Sequence, residues 1–311
     1  MILNKKLVVI LGQTASGKTA LSIKLALLLS SGKAKKRFGT NGVEIISADS
    51  RQVYKSLNIG SGKITQKEMQ GIPHHLLDVA SPKRKFTVAQ FQKLALKKIK
   101  EIQKRNKIPF LVGGTGFYIQ LIVDGLIIPE VKPDWKLRKK LAKKSVEELF
   151  LMLKKLNPKR AKNIDSKNPH RLIRAIEIAL NIKPNQPLIP ENKRLIWPEF
   201  DIIQIGIKKS PDELKKAIHI RLQKRIKGII SEVKKLNKSG LSFKRLEELG
   251  LEYRFVAQYI QGNLTYQEMI NKLQKEIEHF AKRQMTWFKK DKRINWVKNY
   301  KEAEKLIIKF L

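Results

Sequence analysis

One segment of the sequence has the residue types and spacing of a phosphate-binding loop. Residues 12–19 read GQTASGKT and fit the pattern G-x-x-x-x-G-K-[ST]. In this pattern the glycines let backbone amides turn toward phosphate oxygens, and the helix that follows directs its positive end at the anion. The lysine reaches a phosphate as a point charge, and the hydroxyl residue can bind Mg²⁺. The residues predicted to bind phosphate are Gly12, Gln13, Thr14, Ala15, Ser16, Gly17, Lys18 and Thr19, with Thr19 as the magnesium ligand.

Polar residues follow two other predicted strands at the points where those strands end. Asp49 lies in the segment SADSRQ at 47–52, and Thr115 follows a pair of glycines at 113–114. Ligands bind at the carboxyl ends of the strands in an open parallel sheet, so we expect these side chains to share one crevice with Lys18. A carboxylate there can serve as a general base or bind Mg²⁺ through water. The alternatives are a helix cap for Asp49 and a turn residue for Thr115.

Basic and histidine-bearing segments form a third group of candidates. Arg221 and Arg225 are four residues apart and therefore share one face of a helix. The segment HRLIR at 170–174 carries two arginines, and FAKRQMTW at 280–287 combines cations, an amide and aromatic rings. The latter mixture suits phosphate contacts and stacking on unpaired bases, although a solvated basic surface is the alternative. The adjacent histidines of PHHLLD at 73–78 favour a structural or substrate-orienting role, because metal ligands usually need wider spacing.

The elements around these residues alternate between strands and helices. Strands are predicted at Leu7–Leu11, Val43–Ile46 and Ile108–Val112, and helices at Thr19–Leu29 and Phe86–Arg105. The basic, glycine-bearing segment Ser30–Gly42 is predicted to be an exposed loop. Strands and helices that alternate at this spacing indicate an α/β fold with a P-loop NTPase-like parallel sheet flanked by helices.

The second half of the chain is predicted to be mostly helical. A capping box at Ser145 and prolines at 158 and 169 indicate short helices, so we expect a mainly helical insertion domain at about residues 129–195. The core domain would comprise residues 1–128 and about 196–311. One more strand is predicted at Ile202–Ile207, and capping boxes at Ser210 and Thr265 predict helices that run to about Asn237 and Lys290.

The composition limits the classes of function. The chain has 311 residues, a net charge of +39 and no cysteine. The lack of thiols excludes disulfides, zinc fingers and iron–sulfur clusters, and no apolar run approaches the roughly 18 residues that a membrane helix needs. The short apolar run near the N-terminus leads into the phosphate loop, so we interpret it as a strand of a cytoplasmic protein rather than a signal peptide. The charge favours a nucleic acid partner, although a general bias toward lysine is the alternative.

Taken together, these segments resemble the tRNA dimethylallyltransferase family from end to end. The segments that carry the resemblance are GQTASGKT at 12–19, ISADSRQVYKSLNIGSGK at 46–63, PHHLLD at 73–78, LVGGTGFYIQ at 111–120, NPHRLIRAIEI at 168–178, GLEYR at 250–254 and FAKRQMTWFKK at 280–290. The chain departs from the family pattern at Gln13, where most members have proline, and in the segment Gly250-Leu251-Glu252 ahead of Tyr253, near which many members have cysteine and glycine.

The resemblance implies an activity and roles for named residues. Members transfer the dimethylallyl group of dimethylallyl diphosphate to N6 of adenosine 37 in tRNA and release diphosphate. By resemblance, Asp49 is the general base, Thr115 contacts the target adenosine, and Arg221 binds the diphosphate beside the phosphate loop and Mg²⁺. The residues expected to contact tRNA are Asp49, Ser50, Arg51, Gln52, Thr115, Arg138, His170, Arg171, Leu172, Ile173, Arg174, Tyr253, Arg254, Lys282, Arg283, Gln284, Met285 and Thr286. A monomer without membrane attachment is expected.

Two other functions are compatible with the local motifs. A phosphate-loop kinase would bind ATP at residues 12–19, and it would need an arginine-rich lid that the sequence does not clearly contain. A basic, nucleotide-gated RNA-binding module would bind RNA without any need for Asp49. Only the transferase requires dimethylallyl diphosphate, so the choice of donor distinguishes all three.

Overall fold

The computed structural model describes residues 5–129, 131–181 and 200–311. The chain divides into two compact units, one formed by Met1–Gly125 with Pro198–Leu311 and the other by Leu126–Trp197. The predicted helical insertion at about residues 129–195 lies inside the second unit. The phosphate loop and the polar strand ends all belong to the first.

The first unit is built on a six-stranded sheet with the strand order β3-β2-β4-β1-β5-β6. Every pair of neighbouring strands is parallel. The strands are β1 (Lys6–Gly12), β2 (Val43–Ala48), β3 (His74–His75), β4 (Ile108–Gly113), β5 (Asp201–Ile207) and β6 (Ile294–Val297). The predicted parallel α/β fold is confirmed, and the central strands are buried along almost their whole length because helices cover both faces.

Fourteen helices occur in the described ranges, ten in the first unit and four (α6–α9) in the second. They are α1 (Lys18–Leu29), α2 (Gly32–Phe38), α3 (Gln66–Met69), α4 (Val88–Lys104), α5 (Gly116–Val123), α6 (Trp135–Leu141), α7 (Val146–Leu156), α8 (Pro158–Ala161), α9 (Pro169–Asn181), α10 (Pro211–Lys238), α11 (Phe243–Glu248), α12 (Leu251–Ile260), α13 (Tyr266–Phe288) and α14 (Tyr300–Phe310). No helix in the described ranges is long and apolar enough to span a bilayer.

The prediction of an exposed loop at Ser30–Gly42 is wrong, because this segment contains α2. The hydroxyl of Ser31 accepts a hydrogen bond from the backbone of Ala34, which caps the start of the helix. Gly39 ends the helix with φ of 68°, a left-handed conformation that glycine adopts without a steric cost. The cap and terminator are visible in the sequence, but the lysines between them resemble a surface loop.

The long helix α10 was predicted with its limits nearly correct. Ser210 and Glu213 form the predicted capping box, and Pro211 occupies the first helical position. The apolar face of α10 joins a core with α11, α12, α13 and the segment that follows β2. This packing places Arg221 and Arg225, which border the apolar face of α10, beside the phosphate loop.

The second unit has a small helical core of its own. The capping box at Ser145 is confirmed as the start of α7, and Pro158 and Pro169 are the first residues of α8 and α9. The buried residues that form this core are Leu141, Leu149, Leu153, Ala161, Leu172, Ile173, Ala175 and Ile176.

Candidate active site

A cavity of about 320 Å³ lies where β1, β2 and β4 end. Lys18 from the phosphate loop, Asp49 from the segment after β2 and Thr115 from the segment after β4 line it together. Arg221 on α10 completes this group. The predicted convergence of Asp49, Thr115 and Lys18 in one crevice is therefore confirmed.

The phosphate loop is held in place by contacts that leave much of its backbone available. The Lys18 Nζ donates a hydrogen bond to the carbonyl of Gln13 at 2.6 Å. The Gln13 side chain is buried and donates to the carbonyl of Ala281 at 2.9 Å, so it anchors the loop to α13 and is not directed at phosphate. The hydroxyl of Ser16 is buried without a hydrogen-bond partner in the described part of the chain. Loop hydroxyls and amides are the donors that an oxyanion needs.

Lys18 sits in an environment that disfavours its charge. Burial lowers the pKa of Lys18 to about 8, and Arg221 acts in the same direction while Asp49 opposes it. A bound polyanion would reverse this balance, because an opposite charge nearby favours the protonated form.

Asp49 is oriented by the turn that follows β2. One carboxylate oxygen, Oδ1, accepts hydrogen bonds from the backbone of Arg51 at 2.8 Å and of Gln52 at 3.3 Å. The hydroxyl of Thr115 accepts a bond from the backbone of Ser50 at 3.1 Å, which ties the two strand ends together. The local alternatives are partly realised, since Asp49 caps its own turn and Thr115 immediately precedes α5 without a side-chain capping bond. Each residue nevertheless lines the cavity.

Two arginines of α10 pack side by side over Gly62. A Cβ atom at Gly62 would lie 2.0 Å from Nη2 of Arg221 and 3.2 Å from Nη2 of Arg225, and the φ of 62° at this position favours glycine. Burial and the neighbouring Arg221 lower the pKa of Arg225. Its Nη2 is buried and has no hydrogen-bond partner in the described ranges. Paired guanidinium groups with an unsatisfied donor are typical of a site for a strongly charged oxyanion.

Glu252 is a cavity residue to which the sequence reasoning assigned no role. It lines the same cavity as Asp49 and Lys18, and it also lines a small neighbouring cavity with Arg221 and Arg225. Burial raises the pKa of the Glu252 carboxyl, while the two arginines oppose this shift. The only sequence signal near Glu252 is that the segment Gly250-Leu251-Glu252 departs from the family pattern.

The predicted tRNA contact by Tyr253 is wrong, because its side chain is completely buried. The Tyr253 hydroxyl donates to Glu232 at 2.8 Å and accepts from the backbone of Ser61 at 3.1 Å. The Glu232 carboxylate also accepts from three successive backbone amides, those of residues 58–60. Glu232 and Tyr253 therefore fix the loop that carries Gly62 against the two arginines.

Gln284 joins α13 to two of the strand ends. Its side-chain oxygen accepts from the backbone of Thr14 at 2.7 Å, and its nitrogen donates to the carbonyl of Gly114 at 2.8 Å. Both ends of the amide are therefore used within the protein. Gln284 lines the cavity, but its first role is to hold the phosphate loop and the segment after β4 in register.

The other residues predicted to contact tRNA in the first unit lie mostly at the surface. Ser50, Arg51 and Gln52 are half-buried and line the cavity, as does the exposed Arg254. Lys282, Arg283 and Thr286 are exposed on α13, and Met285 is half-buried. Arg283 also reaches the cavity.

In the second unit, a buried carboxylate organises two of the predicted tRNA-binding arginines. Glu177 accepts from Arg138 Nε at 2.9 Å and Nη2 at 2.7 Å, and it also pairs with Arg174. Burial acts to raise the pKa of Glu177, but the hydrogen bonds from both arginines outweigh it and lower the pKa to about 2. His170 and Arg171 are exposed. The predicted tRNA contacts by Leu172 and Ile173 are wrong, because both side chains lie in the core of this unit.

The histidine pair is engaged in hydrogen bonds. Nδ1 of His74 lies 2.8 Å from the carbonyl of Ile72, and Nε2 of His75 lies 2.6 Å from the carboxylate of Glu44. No cluster of three metal-ligating side chains occurs among the residues that the structure describes. His74 lines the cavity, which agrees with a structural or orienting role.

Comparison with known proteins extends the resemblance over the whole chain. The sequence model of the IPP transferase family matches residues 52–291. A tRNA dimethylallyltransferase of Carboxydothermus hydrogenoformans is 38% identical over 99% of this chain and 97% of its own length. A second relative, tRNA dimethylallyltransferase 2 of Citrifermentans bemidjiense, is 42% identical over 94% of this chain and 90% of its own length.

Solved structures give the same result for the fold. The full-length tRNA isopentenylpyrophosphate transferase of Bacillus halodurans superimposes with a TM-score of 0.69 at 33% identity, covering 98% of this chain and 96% of its own. A eukaryotic dimethylallyltransferase acting on tRNA superimposes with a TM-score of 0.72 at 25% identity, covering 91% of this chain and 69% of its own.

Proposed function

Because the chain belongs to the tRNA dimethylallyltransferase family, we propose that it transfers the dimethylallyl group of dimethylallyl diphosphate to N6 of adenosine 37 in tRNA. The observation that carries this proposal is the cavity in which the phosphate loop, Arg221 and the Asp49 carboxylate meet, with Arg225 lining a small neighbouring cavity. A kinase would use the same loop for ATP. In the transferase, the Asp49 carboxylate would receive the proton of the attacking amine.

The donor diphosphate would occupy the cationic end of the site. Backbone amides of the phosphate loop and the Lys18 ammonium would bind one phosphate, and Arg221 would reach the other. Nη2 of Arg225, which is buried without a partner among the described residues, would supply a further donor. Preorganised donors of this kind stabilise the negative charge that develops on the leaving group.

The residues present suit a magnesium ion beside the diphosphate. Thr19 follows Lys18 and lines the cavity with Asp49, so the available ligands are hard oxygen atoms of the kind that Mg²⁺ prefers. Thr19 would hold the ion through its hydroxyl. When bound, the ion would neutralise part of the charge on the diphosphate.

The acceptor amine would enter between Asp49 and Thr115. The N6–C1 bond forms while the bond from C1 to the diphosphate oxygen breaks, and the displaced diphosphate carries away the electron pair. The proton lost from N6 passes to the Asp49 carboxylate. Oδ1 of Asp49 is already engaged by two backbone amides, so Oδ2 is the atom that would accept it.

The tRNA would reach the cavity across its basic rim. The adenine must leave the stacked anticodon loop, which costs a few kcal/mol that contacts to the rest of the loop must offset. Exposed cations at Arg254 and Arg283 border the cavity and suit the backbone phosphates. We propose that the protein acts as a monomer in the cytoplasm, where its tRNA substrate is found.

Donor choice tests this function. The protein is incubated with unmodified tRNA and Mg²⁺ and with either prenyl-labelled dimethylallyl diphosphate or ATP labelled in the γ-phosphate. We expect prenyl label on the tRNA and no phosphoryl transfer. Arg225→Ala should raise the KM for dimethylallyl diphosphate, whereas Lys224→Ala, an exposed neighbour of equal charge, should leave it unchanged. Phosphoryl transfer without prenyl transfer would refute the proposal in favour of a kinase.

A further inference from the structure

Two aromatic side chains form an exposed pair beside the cavity. Phe117 on α5 is 43% exposed, and its ring meets the half-buried indole of Trp287 at 6.3 Å between centroids and 72° between planes. We call Phe117 and Trp287 the aromatic ledge. In an edge-to-face pair one ring meets the other edge-on, so the pair itself leaves ring faces uncovered.

The aromatic ledge is held rigidly at the mouth of the site. Gly116 permits the close approach of Trp287, since a Cβ there would lie 2.4 Å from the indole. The next residue, Tyr118, is buried and stacks on Phe91 of α4 at 3.9 Å, which fixes the orientation of α5. Thr115, which lines the cavity, lies two positions before Phe117 in the chain.

The surroundings of the aromatic ledge are cationic. Lys282, Arg283 and Thr286 are exposed on the same stretch of α13 as Trp287, and Arg283 also lines the cavity. Exposed rings beside cations and hydroxyls are the combination with which proteins bind single-stranded nucleic acid, because every base offers a stacking face and every nucleotide a phosphate. An apolar protein partner would not need the cations.

We propose that the aromatic ledge stacks an unpaired base of the anticodon loop that flanks the target adenosine, on its 5′ or its 3′ side. This proposal rests on the proposed function, because it takes tRNA as the substrate. When the adenine leaves the loop to enter the cavity, its neighbour loses a stacking partner, and Phe117 would replace it. Phe117 thus becomes a specificity residue that binds the loop without touching the reacting atoms.

Binding measurements test the proposal without relying on turnover. Affinities of anticodon stem-loops are measured by fluorescence anisotropy in the absence of donor, using the intact loop and loops with an abasic nucleotide on the 5′ or 3′ side of adenosine 37. We expect Phe117→Ala to weaken binding of the intact loop by about tenfold, the lower part of the range for one stacked base. The wild-type protein should bind one of the two abasic loops about tenfold more weakly than the intact loop. The affinity of Phe117→Ala for that same abasic loop should be no lower than its affinity for the intact loop.

The chain offers a closely matched control. Tyr266 is also 43% exposed and meets Tyr259 edge-to-face at 5.9 Å and 72°, but it lies at the opposite end of α13, about 30 Å from Trp287 along the helix axis. Tyr266→Ala should leave binding unchanged, and Phe117→Tyr, which keeps the ring, should retain wild-type affinity. Thermal unfolding of each variant verifies that it is folded.

Three results would overturn the proposal. The first is that Phe117→Ala binds the intact stem-loop with wild-type affinity. The second is that the loss of affinity caused by Phe117→Ala adds in full to the loss caused by either abasic nucleotide. The third is that Tyr266→Ala weakens binding as much as Phe117→Ala does. Prenyl transfer by the wild-type enzyme is assayed on the same intact stem-loop. If transfer occurs while the aromatic ledge has no effect, only the stacking proposal fails, whereas the absence of any transfer refutes the proposed function itself.

Discussion

Among the single residues, Asp49 must act as a base and not only as a turn cap if the proposed chemistry is to occur. Its Oδ1 is used by the backbone of Arg51 and Gln52, whereas Oδ2 accepts no hydrogen bond from the described residues. The turn therefore orients the carboxylate without consuming it. Lys18 lies close enough to influence it, since Asp49 raises the pKa of the Lys18 ammonium.

Asp49→Asn should lower kcat far more than it lowers tRNA affinity. A positioned general base typically contributes about 10²–10⁴-fold in rate, and the amide keeps the size and much of the capping geometry of the carboxylate. Single-turnover transfer rates and stem-loop dissociation constants provide the comparison. Parallel losses in rate and affinity would mean that Asp49 serves binding and is not the base.

The pKa of Lys18 predicts a loss of donor capture at alkaline pH. Below about pH 8 the ammonium is protonated and can bind diphosphate, and above it the free enzyme loses this charge. The kcat/KM for dimethylallyl diphosphate should therefore fall as the pH rises through about 8. Lys18→Arg, which keeps its charge in this range, should abolish that decline even if its absolute activity is lower. A decline that persists in Lys18→Arg would assign it to another group.

At the scale of elements, the local signals in the sequence explain what could be predicted. Apolar runs predicted β1, β4 and β5, and capping boxes predicted the starts of α7, α10 and α13, because both patterns depend on neighbouring residues. The helix α2 is not predicted, because the lysines between the Ser31 cap and Gly39 are equally typical of an exposed loop.

The errors within the site arise from contacts between distant parts of the chain. Tyr253 was expected at the tRNA surface, but its hydroxyl is taken up by Glu232 on α10. Arg225 was recognised only as a neighbour of Arg221, since its closeness to Gly62 depends on how α10 packs. Leu172 and Ile173 share a motif with exposed arginines, and only the helical period separates the buried face from the exposed one.

The contact of α13 with the strand ends can be tested through Gln284. Gln284→Ala removes the acceptor for the Thr14 amide and the donor to Gly114, leaving polar groups without their buried partners. We expect a lower thermal midpoint together with a higher KM for dimethylallyl diphosphate, because the phosphate loop loses its anchor. Gln267→Ala, an exposed glutamine of the same helix, should change neither quantity. Stability loss without a change in KM would separate this anchor from the donor site.

At the scale of the whole molecule, the charge of +39 is best explained by the family's tRNA substrate. Exposed cations occur around the cavity and, within the second unit, at Arg171, which is on the same helix as the Glu177-bound Arg174. Glu177 keeps together the like charges of Arg138 and Arg174, which would otherwise repel each other. A surface rich in exposed arginine and lysine binds phosphates largely because counterions are released from the nucleic acid.

Binding of tRNA should therefore weaken steeply with salt. Each phosphate contact makes the slope of log affinity against log salt concentration more negative by about 0.7–0.9. A protein that contacts several phosphates should therefore show a steep negative slope. Titrations at increasing potassium chloride concentrations measure it, and Arg171→Ala should reduce the slope by roughly one contact. A nearly flat response would mean that the charge does not serve tRNA.

The central claim is that one cavity joins a prenyl diphosphate to the N6 amine of adenosine 37. The most direct measurement incubates the protein with Mg²⁺, labelled dimethylallyl diphosphate and an unmodified anticodon stem-loop, and then locates the label by nucleoside analysis. We expect label on N6 of adenosine 37, none on a matched loop with guanosine at that position, and little with Asp49→Asn. Label on neither loop, or ATP consumed in place of the prenyl donor, would contradict this claim.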